Sequence, residues 1–344
     1  MLIINPLIPF YIDERNKKIR MGNFKGTGKE IEYEDEALLY LFKFLEQPIE
    51  KEKLIEKVNL IAKIPYNEIS NAITYLMQEN FIIDNNKYEE LMSDNIYNRQ
   101  NLFLNMVSNE YIDYSKQFKG KNILILGIGG VGANVAYALS RAGFDTFTIV
   151  DCDKVESSNL IRQYPYDEND IGSLKIDVLA QKLWNAKSIS KKYIEVNSKN
   201  DIQEEIAVAD LVVCTLDKPI RKIRRLINDL CIKMEKPVIF SGFSEYVALV
   251  GPFVIPKKTA CLLCTEEKMN EEPLNNVQTV PSYGPLCGLI ASVVANEVIN
   301  YFANYNANNL FGKTLMFDML TYQSTVIEWH RKKKCKVCDN NDSE

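Results

Sequence analysis

The pattern of hydrophobic and polar positions divides the chain into a helix-rich first part and a longer part in which strands and helices alternate. In the first part, apolar residues recur at helical spacing in three segments, which predicts three helices. These segments run from Leu38 to Leu45, from Leu54 to Ile61 and from Ile69 to Met77. Two short runs, residues 8–12 and 18–21, predict strands.

Residues 81–88 complete this first part as a predicted β-wing, with a turn at Asp84, Asn85 and Asn86. Three helices and a wing predict a winged-helix-like domain over residues 1–90. Such modules commonly bind DNA, but these residues include 12 basic and 16 acidic side chains, a net charge of −4. Because phosphate neutralisation supplies most DNA affinity, this charge favours recognition of a peptide added to a sheet edge. A dimerisation or purely structural domain is the alternative.

From residue 119 onward, short apolar runs alternate with helical patterns. This alternation predicts an α/β fold, a Rossmann-like doubly wound and mostly parallel sheet. The predicted strands are residues 123–126, 147–150, 194–196, 210–215 and 237–240. The predicted helices run from Leu174 to Trp184, from Ile220 to Met234 and from Leu289 to Phe302. Residues 247–255 predict antiparallel strands, with Pro252 at a bend or edge.

A glycine-rich turn connects the first of these strands to the helix that follows it. Gly127, Gly129 and Gly132 have the spacing of a dinucleotide-binding fingerprint, and Gly130 lies in the same turn. Glycine lets the backbone approach an anion closely, and a helix N-terminus presents free N–H groups, so the turn predicts phosphate binding. The second strand ends at Asp151, where an acid that binds ribose is expected. Alone, this pattern indicates NAD or FAD.

Charged residues beyond Asp151 change that interpretation. Arg162 and Lys175 follow it in the sequence, and Asp217 ends a later strand. A NAD enzyme needs neither cation, whereas a triphosphate requires neutralisation of its β- and γ-phosphates and of the phosphorus under attack. A carboxylate at the sheet edge also suits Mg²⁺. The set predicts ATP and Mg²⁺, and an ordinary surface charge is the alternative for each residue.

The cysteines predict a second site. Cys261 with Cys264 and Cys335 with Cys338 form two CxxC pairs. Four thiolates from two such pairs make a closed tetrahedral Zn²⁺ site, so structural zinc is expected, with a redox pair as the alternative. Cys287 precedes a predicted helix, and a packing role is expected for it rather than a nucleophilic one.

Composition bounds the remaining possibilities. The chain has 344 residues, 46% hydrophobic and 25% charged, which is ordinary for about two globular domains. No uninterrupted apolar run reaches the roughly 18 residues of a membrane span, and the N-terminus lacks a secretory pattern. With eight cysteines and a net charge of −5, we expect a cytoplasmic protein without a nucleic-acid or membrane partner. A single histidine, His330, excludes a histidine-rich metal site.

The order of these motifs resembles the ubiquitin-activating-enzyme superfamily, which includes ThiF, MoeB and HesA. The resemblance covers about residues 95–344 and lies in GIGGVG, VDCDKVESSNLIRQ, DIGSLK, CLLC and CKVC. Its members adenylate a carboxylate with Mg-ATP. The resemblance implies that Asp151 binds ribose, that Lys175 contacts the α-phosphate region and that Asp217 holds Mg²⁺.

The resemblance also assigns roles to residues that spacing alone does not single out. The implied ATP-binding set comprises Gly127, Gly129, Gly130, Gly132, Asp151, Asp153, Asn159 and Gln163, and the implied catalytic set comprises Arg99, Arg162, Lys175 and Asp217. Arg99, within Tyr97-Asn98-Arg99-Gln100, resembles an arginine finger that the partner subunit supplies. A homodimer is therefore implied.

Two departures from the sulfur-carrier activators point to a branch of the superfamily. Asp217 is followed by Lys218 and Pro219, where those enzymes usually have asparagine and later arginine, and residues 1–90 are additional. Both features resemble the branch that tailors ribosomal peptides, with the microcin C adenylyltransferase MccB and the pantocin A enzyme PaaA. In that branch the N-terminal module recognises the precursor peptide.

This branch implies ATP-dependent adenylation of a C-terminal, Asp or Glu carboxylate in a ribosomally made precursor peptide, leading to modification or cyclisation in peptide antibiotic biosynthesis. The expected domains are residues 1–90 for peptide recognition, 91–118 as a linker carrying the arginine finger, and 119–344 for adenylation. Adenylation of a ubiquitin-like sulfur carrier is the first alternative. A dinucleotide-dependent oxidoreductase and a DNA-binding regulator follow it.

Overall fold

Two units make up the chain, Met1–Tyr114 and Ser115–Glu344. The structure is a computed structural model, and it describes residues 1–23, 28–34, 36–92, 96–108, 111–217, 220–265, 281–304 and 309–338.

The first unit combines short strands with helices. Its strands are β1 (Leu2–Ile4), β2 (Phe10–Asp13), β3 (Lys18–Met21), β4 (Lys29–Glu32) and β5 (Ile82–Asp84). Its helices are α1 (Ala37–Phe44), α2 (Lys51–Ala62), α3 (Tyr66–Gln78), α4 (Asn85–Met92) and α5 (Asn98–Ser108). The three helices predicted from apolar spacing are α1, α2 and α3. Strands β2, β3 and β4 form an antiparallel sheet, and β1 pairs with β5.

Aromatic side chains join the sheet and the helices of this unit into one core. Phe42 is fully buried, and its ring stacks on Phe10 of β2 with centroids 5.8 Å apart. The edge of Phe81 meets the same ring at 6.3 Å. Each such pair adds about 0.5–1.5 kcal/mol beyond the burial of its surface.

The predicted β-wing is wrong in its second half. β5 pairs antiparallel with β1, for example Ile83 with Ile3, and residues 87–88 lie in α4. The physical reason lies in the turn residues. The carboxylate of Asp84 accepts the amide N–H of Asn86 at 3.0 Å, as an acidic residue does at the start of a helix.

The second unit alternates strands and helices, as predicted. Its strands are β6 (Asn122–Leu126), β7 (Thr146–Asp151), β8 (Ser188–Tyr193), β9 (Leu211–Cys214), β10 (Val238–Ser244), β11 (Val247–Val254), β12 (Lys313–Asp318) and β13 (Ser324–Glu328). Its helices are α7 (Gly132–Ala142), α8 (Lys175–Lys182), α9 (Gln203–Val208), α10 (Ile220–Lys233), α11 (Leu262–Thr265) and α12 (Gly284–Ala303), and α6 (Tyr114–Phe118) lies at the boundary between the units.

One twisted sheet organises the second unit, with the strand order β13-β12-β11-β10-β9-β6-β7-β8. Strands β6 to β10 pair in parallel, and β11 to β13 add antiparallel strands at one side. The predicted α/β class with a mostly parallel sheet is confirmed. From β6 the chain continues to one side and from β9 to the other, so the crevice between these two strands is where such sheets bind ligands.

Two details of the sheet differ from the sequence predictions. The strand predicted at residues 194–196 is wrong, because β8 ends at Tyr193 and is a polar strand at the sheet edge, with Lys191 exposed and Lys192 half-buried. Within residues 247–255, where antiparallel strands are predicted, the structure has the single strand β11 (Val247–Val254). Pro252 lies where the pairing between β10 and β11 shifts register, which is a position that tolerates a missing N–H.

By length and composition, helix α12 could cross a membrane. However, 56% of its most apolar 18-residue stretch is buried inside the protein. Its buried face includes Ile290, Val294 and Val298. It packs against α7, β10 and β11, so it is a core helix of the second unit.

This core helix carries a buried carboxylate, which makes stability depend on pH. Glu297 is 4% exposed and accepts the amide N–H of Leu310 at 2.7 Å. Burial raises the pKa of Glu297, against the opposing effects of that hydrogen bond and of Lys313. A raised folded-state pKa contributes stability below the unfolded value of about 4.3, and this stability is lost as the pH rises through the folded value.

We therefore expect Glu297→Gln, which keeps an acceptor for Leu310, to raise the free energy of unfolding at about pH 8 and to lose this advantage toward about pH 5. Urea unfolding across this range measures the difference. Glu204→Gln, at an exposed position of α9, is the control. If Glu297→Gln raised the free energy of unfolding equally at every pH, the effect could not be assigned to ionisation of this carboxyl.

Candidate active site and cysteine cluster

The glycine turn between β6 and α7 is closed by contacts that leave no room for a side chain at Gly132. A Cβ on Gly132 would lie 1.9 Å from the carbonyl oxygen of Gly127 and 2.8 Å from Oγ1 of Thr215. Gly127 itself has φ of +82°, which favours glycine. The Thr215 hydroxyl, just after β9, donates to the carbonyl of Gly127 at 2.7 Å. The turn is thus fixed to the end of the neighbouring strand.

Asp151 is fixed beside this turn at the end of β7. Its carboxylate accepts the amide N–H of Ile128 and that of Asp153, each at 2.8 Å. The structure therefore places a rigid carboxylate next to the start of α7. Its ribose-binding role stays a prediction.

Lys175, in the segment that follows Asp151, is a buried lysine. Lys175 begins α8 with 4% of its surface exposed, and its ammonium pairs with Asp153 at 2.8 Å. The Asp153 side chain is 63% exposed. Because an exposed carboxylate compensates a buried charge incompletely, this ammonium can bind an additional anion such as a phosphate.

Hydrogen bonds also connect the segment that contains Arg162, residues 162–166, to the glycine turn. The side-chain amide of Asn134 donates to the carbonyls of Gly130 at 2.8 Å and Arg162 at 3.0 Å, and its oxygen accepts the amide of Tyr164. The Tyr166 hydroxyl donates to the carbonyl of Ile128 at 3.1 Å. Sequence reasoning missed Asn134 and Tyr166, and the only available signal was the position of Asn134 four residues after Gly130.

The remaining residues of this segment are buried or packed on the turn. Asn159 accepts the amide N–H of Glu156 at 3.2 Å. Gln163 is 2% exposed, and its Oε1 has no hydrogen-bond partner among the described residues. A Cβ on Gly130 would meet Cys287 Sγ at 2.9 Å and the side chain of Arg162 at 3.5 Å.

Cys287 is buried against the glycine turn. Burial raises the pKa of Cys287, although the charge of Arg162 acts in the opposite direction. A buried thiol with a raised pKa is a poor nucleophile, so the geometry supports the expected packing role.

The topology places Asp217 at the same sheet edge, because it follows β9 and β9 pairs in parallel with β6. Its side chain is exposed. Arg99 is exposed on α5 of the first unit. Lys218 and Pro219 lie outside the described residues. The catalytic and ATP-binding assignments of all these residues stay predictions.

The four cysteines of the two CxxC pairs form one cluster. The Sγ atom of Cys261 lies 3.9 Å from that of Cys264 and 3.7 Å from that of Cys335, and the Sγ atoms of Cys264 and Cys338 are 3.5 Å apart. A tetrahedron with Zn–S bonds of about 2.3 Å has S–S edges of about 3.8 Å. The four thiols therefore fit a zinc ion.

The electrostatics of the cluster agree with this fit. Burial opposes ionisation of Cys335, but hydrogen bonds from the backbone amides of Cys338 and Val337 and from neighbouring thiols outweigh it and lower the pKa of Cys335 to about 7. Burial raises the pKa of Cys261. A bound cation would bring all four sulfurs to the thiolate form.

The glycine turn gives a paired test of the site. We expect Gly132→Ala to lower the free energy of unfolding by roughly 3 kcal/mol and to abolish ATP binding, because its Cβ cannot be accommodated. A Cβ on Gly129 would meet nothing within 4 Å, so Gly129→Ala should fold with unchanged stability. Thermal unfolding and calorimetric titration with ATP measure the two effects. Equal stability and equal ATP affinity for Gly132→Ala and wild type would contradict the geometry.

The cysteine cluster predicts close to one zinc ion per chain in the purified protein. We expect Cys335→Ser to lose zinc to a chelator and to unfold at a lower temperature, by roughly 2–4 °C for each kcal/mol lost. Cys152→Ser, at a half-exposed position outside the cluster, is the control. Metal analysis and thermal unfolding provide the measurements, and a wild-type protein without zinc would refute the site.

Comparison with known proteins agrees with this geometry. A model of the ThiF family matches residues 97–337. The sulfur carrier protein ThiS adenylyltransferase of Escherichia coli is 26% identical over 238 residues, which cover 68% of this chain and 92% of that protein. The adenylyltransferase and sulfurtransferase MOCS3 of Caenorhabditis briggsae is 29% identical over 233 residues, 66% of this chain and 57% of that protein. The chain thus spans little more than half the length of that relative.

Solved structures extend the similarity to nearly the whole chain. Escherichia coli MccB, crystallised with AMPCPP and selenomethionine-labelled MccA, has a TM-score of 0.84 and 23% identity, covering 98% of this chain and 99% of that one. PaaA has a TM-score of 0.69 and 19% identity, covering 94% and 98%. At these identities the likeness establishes the fold. Because the family match covers well over half of the residues, the chain belongs to the ThiF family.

Proposed function

We propose that this protein uses Mg-ATP to adenylate a carboxylate of a short, ribosomally made precursor peptide, as a step in making a peptide antibiotic. The observation that carries the proposal is that the fold matches MccB over 98% of this chain, including the first unit as well as the ATP-type site. Structures of MccB contain the peptide MccA.

The site offers what this reaction requires. The glycine turn and the N-terminus of α7 provide N–H groups for phosphates, and Asp151 provides an acceptor for ribose. Lys175 and Arg162 neutralise phosphate charge. Asp217 would hold Mg²⁺, which neutralises further charge on the triphosphate.

The chemistry demands positioning rather than covalent participation by the protein. An oxygen of the peptide carboxylate attacks the α-phosphorus of ATP in line. A new C–O–P linkage forms, the bond from the α-phosphorus to the pyrophosphate oxygen breaks, and pyrophosphate leaves with that electron pair. Orientation and charge stabilisation supply the rate. No proton transfer is needed, which agrees with a set of proposed site residues that does not include His330, the one histidine of the sequence.

The first unit is proposed to recognise the peptide. Its acidic charge disfavours DNA, and within the described part of the chain its three-stranded sheet leaves β2 and β4 each paired on one side only. An unpaired strand edge can accept an extended peptide through main-chain hydrogen bonds. We assign residues 1–90 to recognition and residues 119–344 to adenylation.

We further propose a homodimer, in the cytoplasm, in which each chain supplies Arg99 to the site of the other. Residues 91–118 contain this arginine on α5, and its side chain is exposed. An arginine added from a second chain would stabilise the charge that develops on the departing pyrophosphate.

Adenylation of the C-terminus of a ubiquitin-like sulfur carrier is the second candidate. It is favoured by the 26% identity to a ThiS adenylyltransferase over 92% of that protein. The two candidates share the ATP site and differ in the partner that triggers the reaction.

Exchange of labelled pyrophosphate into ATP distinguishes them. We expect a short peptide encoded beside the gene to stimulate exchange by at least about tenfold, and a carrier protein ending in Gly-Gly to have no effect. Stimulation by the carrier alone would overturn the peptide assignment.

Two lysine variants of the full chain connect that exchange to the site. Lys175→Ala should lower peptide-dependent exchange by about 100-fold, because a phosphate would lose its buried cation. Lys191→Ala, at an exposed ion pair with Asp177, is the matched control.

A further inference from the structure

Arg224 connects the middle of β10 to the segment that follows β9, the parallel strand beside it. It lies near the start of α10, the helix that runs from β9 to β10. Its Nη2 donates to the carbonyl of Ser241 in β10 at 2.7 Å, and its Nε donates to the carbonyl of Leu216 after β9 at 3.4 Å. The planar guanidinium has the fork geometry for two acceptors at once.

The guanidinium occupies a space that the chain keeps free. A Cβ on Gly242 would lie 2.8 Å from Nη2 of Arg224. Gly242 does not have a positive φ, so backbone conformation does not require glycine there. Glycine at position 242 therefore leaves room for the side chain of Arg224.

Arg224 is half-buried and forms no ion pair with a carboxylate of the described residues. Burial lowers the pKa of its guanidinium, while Cys214 and Asp217 act in the opposite direction. The contacts of Arg224 with described residues are to carbonyls, which compensate the desolvation of a cation incompletely, so packing alone is a weak reason for an arginine here. The restraint that Arg224 places on the residues it contacts is a stronger reason for an arginine at this position.

The contact with Leu216 acts directly on Asp217. The carbonyl of Leu216 and the amide of Asp217 belong to one planar peptide unit, so a bond to the first restrains the second. On the other side, Thr215 is bonded to the carbonyls of Leu126 and Gly127. The segment that ends in Asp217 is thus fixed from both sides, by the glycine turn and by Arg224.

We propose that Arg224 is a positioning residue that sets where the Asp217 carboxylate stands relative to the nucleotide, and thereby the affinity for the divalent cation bound with ATP. The inference rests on the proposed ATP and Mg²⁺ site and is independent of which carboxylate is adenylated.

The test measures Mn²⁺ binding to the full-length protein by electron paramagnetic resonance, with a non-hydrolysable ATP analogue bound. Arg224→Gln should weaken Mn²⁺ binding by about tenfold, while affinity for the analogue without metal stays unchanged. Arg224→Lys should recover part of the loss, because an ammonium reaches one carbonyl rather than two. Lys222→Gln removes an exposed charge from the same helix and should bind Mn²⁺ like wild type.

Gly242→Ala provides a second variant, which displaces the guanidinium and keeps its charge. It should also weaken Mn²⁺ binding. If Arg224→Gln does not fold, the Mn²⁺ affinity of Gly242→Ala tests the proposal in its place. Wild-type Mn²⁺ affinity in the folded variants, even with a lower unfolding temperature, would overturn the proposal. Absence of nucleotide-dependent Mn²⁺ binding in wild type would overturn the ATP site itself, which is a distinct outcome.

Discussion

The close approach of Gly132 to the carbonyl of Gly127 is the constraint on which the rest of the candidate site depends. With 1.9 Å from the Gly127 oxygen to an added Cβ, only glycine lets the chain pass from β6 into α7 so abruptly. That turn exposes the first N–H groups of α7 at the switch point of the sheet. Thr215 packs on the same turn and brings the end of β9, and with it Asp217, to this edge.

The charge of the site differs from the charge of the chain. The protein has a net charge of −5, yet among the described residues the buried Lys175 pairs with an exposed carboxylate, and Arg224 bonds to carbonyls. Cations in such surroundings create a local positive potential that water screens poorly. An anionic ligand such as a triphosphate would complete their neutralisation. The negative net charge therefore argues against the DNA-binding alternative, whereas the affinity of this sheet edge for an anion depends on its local cations.

Features set by local spacing could be predicted from the sequence, and features set by tertiary contact could not. The glycine turn, Asp151 and the CxxC pairs follow from neighbouring residues, and the structure assembles the pairs into one cluster. The sequence misplaces β8 because this edge strand carries Lys191 and Lys192 in place of an apolar run. Asn134 and Arg224 were missed because their roles arise from carbonyls that are distant in the sequence.

Helix α10 connects the two sites of the second unit. Arg224, near its start, bonds to Leu216 after β9 and to Ser241 within β10. One turn later Asn228 accepts the amide N–H of Leu262, within the first CxxC pair. Residues four apart lie on one face of a helix, so both bonds fix the same face. A zinc ion that fastens Cys261 and Cys264 to the C-terminal pair would thereby also fix the position of α10. The cluster would then contribute to the geometry around Asp217 without touching the nucleotide.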